Sequence, residues 1–322
     1  AASMTMDISN QNKLSEFYEE LKRLNVNIIR PDINECYADF KANDNKFFYA
    51  LGGIKAVGYE AITNIVEERV VNGKFKSIND FINRVKPKDI NKLQLEGLVK
   101  AGAFDCIDKN RGKLFNSIPK MILSIKNSYE DKNSNQTNLF EGIKELSNDK
   151  FYFDNEENWS KKELLASEFT SLGFYISDHP LNEYKSIFSE LNIKSYKDFI
   201  NDNKSEALVA GTIMSIQEKK SAKGIPFAIL KFSDNSSEYE LFLFSDLLIK
   251  NRDKLIESGS FILTLQKDKV ISENINQRIN IRKILDLSEM VNKSYEKVSI
   301  ELTKDYDLEE LKETLKEEGK TE

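Results

Sequence analysis

The stretch Leu51-Gly52-Gly53-Ile54-Lys55-Ala56-Val57-Gly58 decides how the first third of this chain is read. Glycines flank it, a lysine stands near its middle, and Ile62, Ile65 and Val66 set a helical period over Ala61–Val70 directly after it. A glycine-flanked turn that opens a helix leaves backbone N–H groups free at the positive helix end, where a phosphate can bind without any base being read. Toward the N-terminus, Lys46–Leu51 is short and aromatic-rich and Pro31 closes the region before it. Leu14, Phe17, Tyr18, Leu21 and Leu24 give Asn12–Leu24 the pattern of an amphipathic helix. The opening Ala1-Ala2-Ser3-Met4-Thr5-Met6 is helical in character and lacks a cap, as expected of a chain that starts inside a larger protein.

Toward the C-terminus, Asn72-Gly73 ends that helix, and helices around Ile78–Val85 and Ile90–Lys100 follow, separated by Pro87 and stopped at Gly102. Lys100 in a last turn and Gly102 just after it are ordinary capping; paired with the first turn, Leu98–Asp105 becomes a second phosphate-binding candidate. From about Asn127 to Lys150 the chain is rich in Asn, Ser, Asp and Lys and reads as a linker, interrupted by the apolar pair Leu139-Phe140. Helical segments over Lys161–Leu172 and near Leu181–Leu191 flank His179-Pro180. From Ala207 the period shifts toward two, with strand-like runs Leu208–Ile216, Phe227–Phe232, Tyr239–Phe244, Phe261–Gln266 and Asn280–Leu285 and a helix over Asp246–Ser258. Five strands with a helix between the third and fourth is the order of an oligonucleotide-binding (OB) barrel.

Composition narrows the classes. With 322 residues the chain is long for one core, and 40% hydrophobic and 31% charged residues fit a globular, modular protein. No apolar run approaches the roughly 20 residues a bilayer span needs and no signal peptide is recognisable, so a cytoplasmic location is expected. Cys36 and Cys106 lie far apart with no metal-ligand spacing, and His179, the single histidine, is expected to be structural. No carboxylates are spaced for two-metal phosphoryl transfer, so neither a catalytic residue nor a metal ligand is assigned. The formal net charge of −6 requires any DNA-facing positive charge to be local.

Three motifs carry functional candidates, two of them with local cations. The Gly53–Gly58 turn resembles a helix-hairpin-helix element, although Ala56 stands where many such hairpins carry glycine. Gln136-Thr137-Asn138-Leu139-Phe140 resembles the pentapeptide by which bacterial replication proteins dock on the beta sliding clamp. In the barrel, Lys219, Lys220 and Lys223 crowd the first hairpin; Phe227, Phe232, Tyr239, Phe242 and Phe244 supply aromatics, about half of which alternation must turn inward.

Read in order, these segments resemble the C-terminal half of the bacterial DNA polymerase III alpha subunit family. Pro31-Asp32-Ile33-Asn34 with Phe40 and then Leu51–Gly58 are similar to the junction between that family's fingers and its tandem helix-hairpin-helix region. Phe75–Phe81 and Leu98–Asp105 match the second half of the same module; Leu172–Leu181 is similar to the segment before the OB domain and Lys223–Ala228 to its first hairpin. The resemblance implies an α+β multidomain chain: an end-of-fingers helical region (1–45), tandem helix-hairpin-helix (46–126), a linker with the clamp motif (127–160), a helical connector (161–204), a five-stranded OB-fold β-barrel (205–290) and the start of a further domain (291–322). It implies duplex DNA held at Gly53, Lys55, Val57, Gly58, Lys100 and Gly102, the clamp held at Gln136, Leu139 and Phe140, and single-stranded DNA at Lys219, Lys220, Lys223 and Phe227, all serving processive replication beside other polymerase III holoenzyme subunits. The resemblance also implies a parent that is a magnesium-dependent nucleotidyltransferase, whose palm and catalytic aspartates have no counterpart in these residues, so no cofactor is expected for them. A replication scaffold that binds proteins without touching DNA is the alternative.

Overall fold

The structure is a computed structural model that describes residues 1–43, 45–133, 151, 153, 157–268 and 278–291. Its helical part runs α1 (Ala2–Met6), α2 (Gln11–Arg23), three short strands β1 (Asn27–Ile29), β2 (Lys41–Asn43) and β3 (Lys46–Phe48), then α3 (Tyr59–Asn72), α4 (Ile78–Arg84), α5 (Lys92–Lys100) and α6 (Arg111–Asn133). A connector follows with α7 (Lys161–Leu172), α8 (Lys185–Glu190) and α9 (Tyr196–Asn201). The last part is β4 (Glu206–Lys220), β5 (Pro226–Ser233), β6 (Glu238–Phe244), α10 (Ser245–Asn251), β7 (Ser260–Lys267), β8 (Ile279–Asp286) and α11 (Leu287–Val291).

Capping sets the helix starts. The side chains of Asn10, Ser77, Asn91 and Ser160 accept N–H groups of α2, α4, α5 and α7, and the last two are capping boxes closed by Gln94 and Glu163. In α6, Leu114, Ile118, Met121 and Ile125 form a buried stripe at helical spacing, which carries the helix through Pro119. The helix then reaches Asn133, so 127–133 is not the linker that its polarity predicts. Ser128 and Lys132 bond to Asn83 of α4, tying down a turn that has few apolar residues. The aromatic run near Lys46 is also more than a connector: β3 pairs parallel with β1 and antiparallel with β2.

Phe40, Tyr49, Leu51, Phe81, Leu98, Phe104, Leu172 and Phe174 belong to one buried core, so the connector helix α7 packs with the first helices rather than with the sheet alone. The second core lies inside the sheet, around Val209, Ile213, Leu230, Phe232, Leu241 and Leu263. The strand order is β6-β5-β4-β7-β8, all antiparallel, with α10 between the third and fourth strands. This is the order and helix placement of an OB-like fold. Strand β4 serves both halves: its first part pairs with β7 and its second with β5, with a register shift between Ile213 and Ser215 where it bends. At that bend Gly211 is required, because a Cβ would meet the Phe232 ring at 2.9 Å and lie still closer to the Tyr239 hydroxyl. The expected closed barrel is a curled open sheet: β8 comes beside β6, yet no ladder joins them among the described residues. The helix expected over Asp246–Ser258 is shorter, ending in a 3-10 turn at Arg252–Lys254.

Candidate nucleic-acid interface

The first hairpin comes from a 3-10 turn over Leu51–Gly53, the loop Ile54–Gly58 and α3. Gly58 is the N-cap of α3 with no side-chain cap, and the N–H groups of Gly58, Tyr59, Glu60 and Ala61 find no acceptor among the described residues. This open helix end is exposed, with the exposed Lys55 in the loop beside it. Tyr59, the first residue of α3, has its hydroxyl held 2.7 Å from Asp39 Oδ2. Glu60 also stands in the first turn, a carboxylate that an arriving phosphate would have to tolerate. Not every predicted donor is available: Gly53 N–H is used by Ala50 O at 3.0 Å and Val57 N–H by Ile54 O at 3.1 Å, and Val57 is buried. The free donors therefore gather at Gly58–Ala61, not at Gly53. Ala56 has φ +65°, which explains why glycine suits this position in such hairpins.

The second hairpin, between α5 and α6, is built differently. Gly102 takes φ +78° just past α5, as its capping pattern predicts. Lys100 Nζ lies 5.1 Å over the Phe115 ring. The start of α6 is occupied by the chain's own groups: Arg111 N–H bonds to Lys109 O, Gly112 N–H to Asn158 Oδ1 at 3.4 Å and Lys113 N–H to Asn110 Oδ1 at 2.9 Å. Gly112 permits this, since a Cβ there would meet Glu157 O at 2.9 Å. Lys100 and Gly102, at the end of α5, thus belong to a hairpin whose following helix start is closed, unlike that of Lys55 and Gly58.

The residue that organises this second hairpin, Arg111, was not singled out in the sequence. Its guanidinium is buried and donates to Asp105 Oδ1 at 2.9 Å and Oδ2 at 2.6 Å, to Lys100 O at 3.2 Å and to Glu168 Oε1 of α7 at 3.1 Å. Burial works against its charge, and the hydrogen bonds and charge of Asp105, then of Glu168, outweigh it and raise the pKa. The only signal for this pair would be two opposite charges inside otherwise apolar helical faces.

In the sheet, pairing of Lys219 with Phe227, Phe227 with Phe244 and Ile229 with Phe242 puts these side chains on one outer face. Phe242 and Phe244 are 42% and 43% exposed, the rings of Phe227 and Phe242 lie 6.3 Å apart, and Arg278 sits 4.9 Å over the Phe244 ring. Phe232 and Tyr239 point into the core, so the expected division of the aromatics is observed. Lys219, Lys220 and Lys223 are exposed around the β4–β5 turn, where Gly224 takes φ +76°. Gln136, Leu139 and Phe140 lie outside the described residues.

His179 has partners that the sequence did not reveal. Its Nδ1 accepts Leu181 N–H at 3.2 Å, which leaves Nε2 to donate to Ser233 Oγ of β5 at 3.0 Å. Burial pushes its pKa down to about 4, against the charge of Asp234. No group of His, Cys, Asp and Glu among the described residues is arranged to hold a metal, and no described helix is long and apolar enough to cross a membrane.

The chain joins a helix-hairpin-helix motif to an OB-like sheet: a family model described as helix-hairpin-helix motif matches residues 25–114. Curated relatives narrow this. The DNA polymerase III subunit alpha of Caulobacter vibrioides is 32% identical over 265 residues, covering 81% of this chain and 23% of that protein. That of Borreliella burgdorferi is 33% identical over 88% of the chain and 25% of its own length, and that of Buchnera aphidicola 33% over 95% and 26%. The chain belongs to the DNA polymerase III subunit alpha family, and it spans about a quarter of the length of these relatives.

Proposed function

We propose that this chain is the nucleic-acid-holding and clamp-tethering portion of a replicative DNA polymerase III alpha subunit. The observation that carries the reading is the open end of α3, with unpaired N–H groups at Gly58–Ala61 beside the exposed Lys55. Such contacts grip the backbone of duplex DNA without reading sequence. Lys219, Lys220, Lys223 and Phe227, extended by Phe242, Phe244 and Arg278, form a stacking face with cations at its rim that fits single-stranded DNA. Gln136, Leu139 and Phe140 tether the chain to the beta sliding clamp, which turns rebinding into an intramolecular event.

The division into 1–45, 46–126 extended to 133 by α6, a linker from there to 160, 161–204, 205–290 and 291–322 belongs to the same proposal, as do a cytoplasmic location and contacts with other holoenzyme subunits. The magnesium chemistry of polymerisation is assigned to parts of the parent that this chain does not represent. The net charge of −6 favours a scaffold that touches no DNA, and one titration separates the two. Duplex affinity of the full chain is measured by fluorescence anisotropy against salt. A DNA-holding chain loses affinity linearly in log salt, about 0.9 per phosphate engaged, and Lys55→Ala lowers that slope by about one. Absence of salt-dependent binding, or an unchanged slope in the variant, overturns the assignment. For the tether, Leu139→Ala/Phe140→Ala is expected to abolish binding to a bacterial beta clamp; equal binding by the variant refutes it.

A further inference from the structure

We infer that Glu168 is a positioning residue that holds the first hairpin and the sheet in one fixed relation, so that duplex and single strand are gripped together at a primer–template junction. The inference rests on the DNA-holding reading above. Glu168, on α7, is 1% exposed. Its Oε1 accepts Arg111 at 3.1 Å, and its Oε2 accepts both Ser177 N–H at 3.1 Å and Ser177 Oγ at 2.8 Å. A carboxylate this deep is tolerated only because it is paired and fully hydrogen-bonded, and an apolar side chain would stabilise packing as well. What the charge adds is direction: one side chain fixes α7 to α6 on one side and to the turn after α7 on the other.

Both ends of that link reach a candidate DNA face. One turn beyond Glu168, the buried Ser171 offers its carbonyl to Lys55 N–H at 2.9 Å, so α7 directly carries the middle of the first hairpin. The opposite edge of Lys55 is pressed by α5, where a Cβ on Gly97 would stand 2.7 Å from Lys55 O. From the other direction, Ser177 leads into His179, whose Nε2 bonds Ser233 of β5, and Asn182, whose Oδ1 accepts Asn235 of the β5–β6 turn at 3.0 Å. The path from Lys55 to β5 thus runs through hydrogen bonds of one short segment, and Glu168 is the side chain that anchors its middle. Two binding faces held rigidly enhance one another when both engage one molecule, because the second contact forms at a high effective concentration.

The test uses the full chain and three probes: a duplex, a single strand, and a junction that contains both. Wild type is expected to hold the junction at least about tenfold tighter than either arm. Glu168→Gln is expected to change each arm less than about twofold, to cut the junction advantage below about threefold, and to speed hydrogen exchange at the Lys55 amide. Ser177→Ala, which removes a single hydroxyl donor, shifts the junction advantage in the same direction by less and serves if Glu168→Gln does not fold. A junction advantage retained in both variants overturns the inference, and so does an equal loss on all three probes, which marks a merely structural role. No binding of any probe by wild type overturns the DNA-holding reading and this inference with it, whereas retention in the variants overturns this inference alone.

Discussion

Replacing Arg111 by methionine removes a buried guanidinium that makes hydrogen bonds to Asp105, Lys100 O and Glu168. Asp105 is 41% exposed and water can replace its partner, so that half of the interaction contributes little. Glu168 is 1% exposed and is left with Ser177 alone, an uncompensated buried carboxylate. Breaking such a pair from one side costs about 3–5 kcal/mol, a large share of the roughly 5–15 kcal/mol that a folded domain has. With a urea m-value of about 3 kcal/mol/M, the midpoint of unfolding followed by far-UV circular dichroism falls by about 1–1.7 M. The companion variant Arg111→Met/Glu168→Met removes both charges and keeps the volume. It is expected to be more stable than Arg111→Met alone, because what remains unpaired is a neutral N–H and hydroxyl at Ser177. A single variant within about 1 kcal/mol of wild type, or a double variant less stable than the single, refutes the reasoning.

Ala56→Gly relieves a left-handed residue at φ +65° but adds unfolded-state freedom, so the unfolding free energy, followed through the thermal midpoint, is expected to be unchanged or raised by no more than about 1 kcal/mol, where most substitutions in a tight hairpin lower it. His179 is neutral when folded, with a pKa of about 4 against 6.5 unfolded, so its contribution is complete above pH 6.5 and is lost as pH falls from 6.5 toward 4. That loss reaches about 3 kcal/mol at most, and His179→Gln should flatten the stability profile in this window in urea titrations at stepped pH. Asp178, which burial alone would raise, is held at about 2 by Lys161 and Asn182, so any loss that it causes falls below this window. Phe242→Ala and Phe244→Ala should each weaken single-strand binding by about 1–3 kcal/mol in anisotropy titrations. Their rings lie on the outer face, 42% and 43% exposed, so unfolding midpoints should move little; a matching loss of stability would place them in the core instead.

The sequence made the large division legible because the two periods are local: three-to-four spacing before Ala207 and near-alternation after it. The first hairpin was legible for the same reason, since glycines and the following helix period lie within twenty residues. What escaped were pairings at long range. Arg111 and Glu168 are 57 residues apart and Ser171 meets Lys55 across the whole linker, so neither leaves a spacing signature. The strands β1 and β3 are three residues each, too short to show a period. Phe242 and Phe244 share a parity opposite to that of Tyr239, Leu241 and Leu243, but an edge strand apolar on both faces hides which parity is the core.

The net charge of −6 argues against DNA binding only if the candidate faces lack cations that are free of carboxylates. Lys13, Lys22, Lys74, Lys161, Lys231 and Lys254 each meet a carboxylate within 4 Å. Lys55, Lys219, Lys220 and Lys223 meet none among the described residues. These four lysines stand at the open helix end and at the rim of the aromatic face, where a phosphate would release counterions without first displacing a carboxylate. Each face holds few such cations, so each arm alone binds weakly at physiological salt. On the proposed function, affinity at a junction then comes from using both faces on one DNA, and that requires the α7 segment between them to stay rigid. A buried ion pair is a reasonable device for this purpose, because its hydrogen-bond geometry resists the sliding that an apolar contact of equal area would allow.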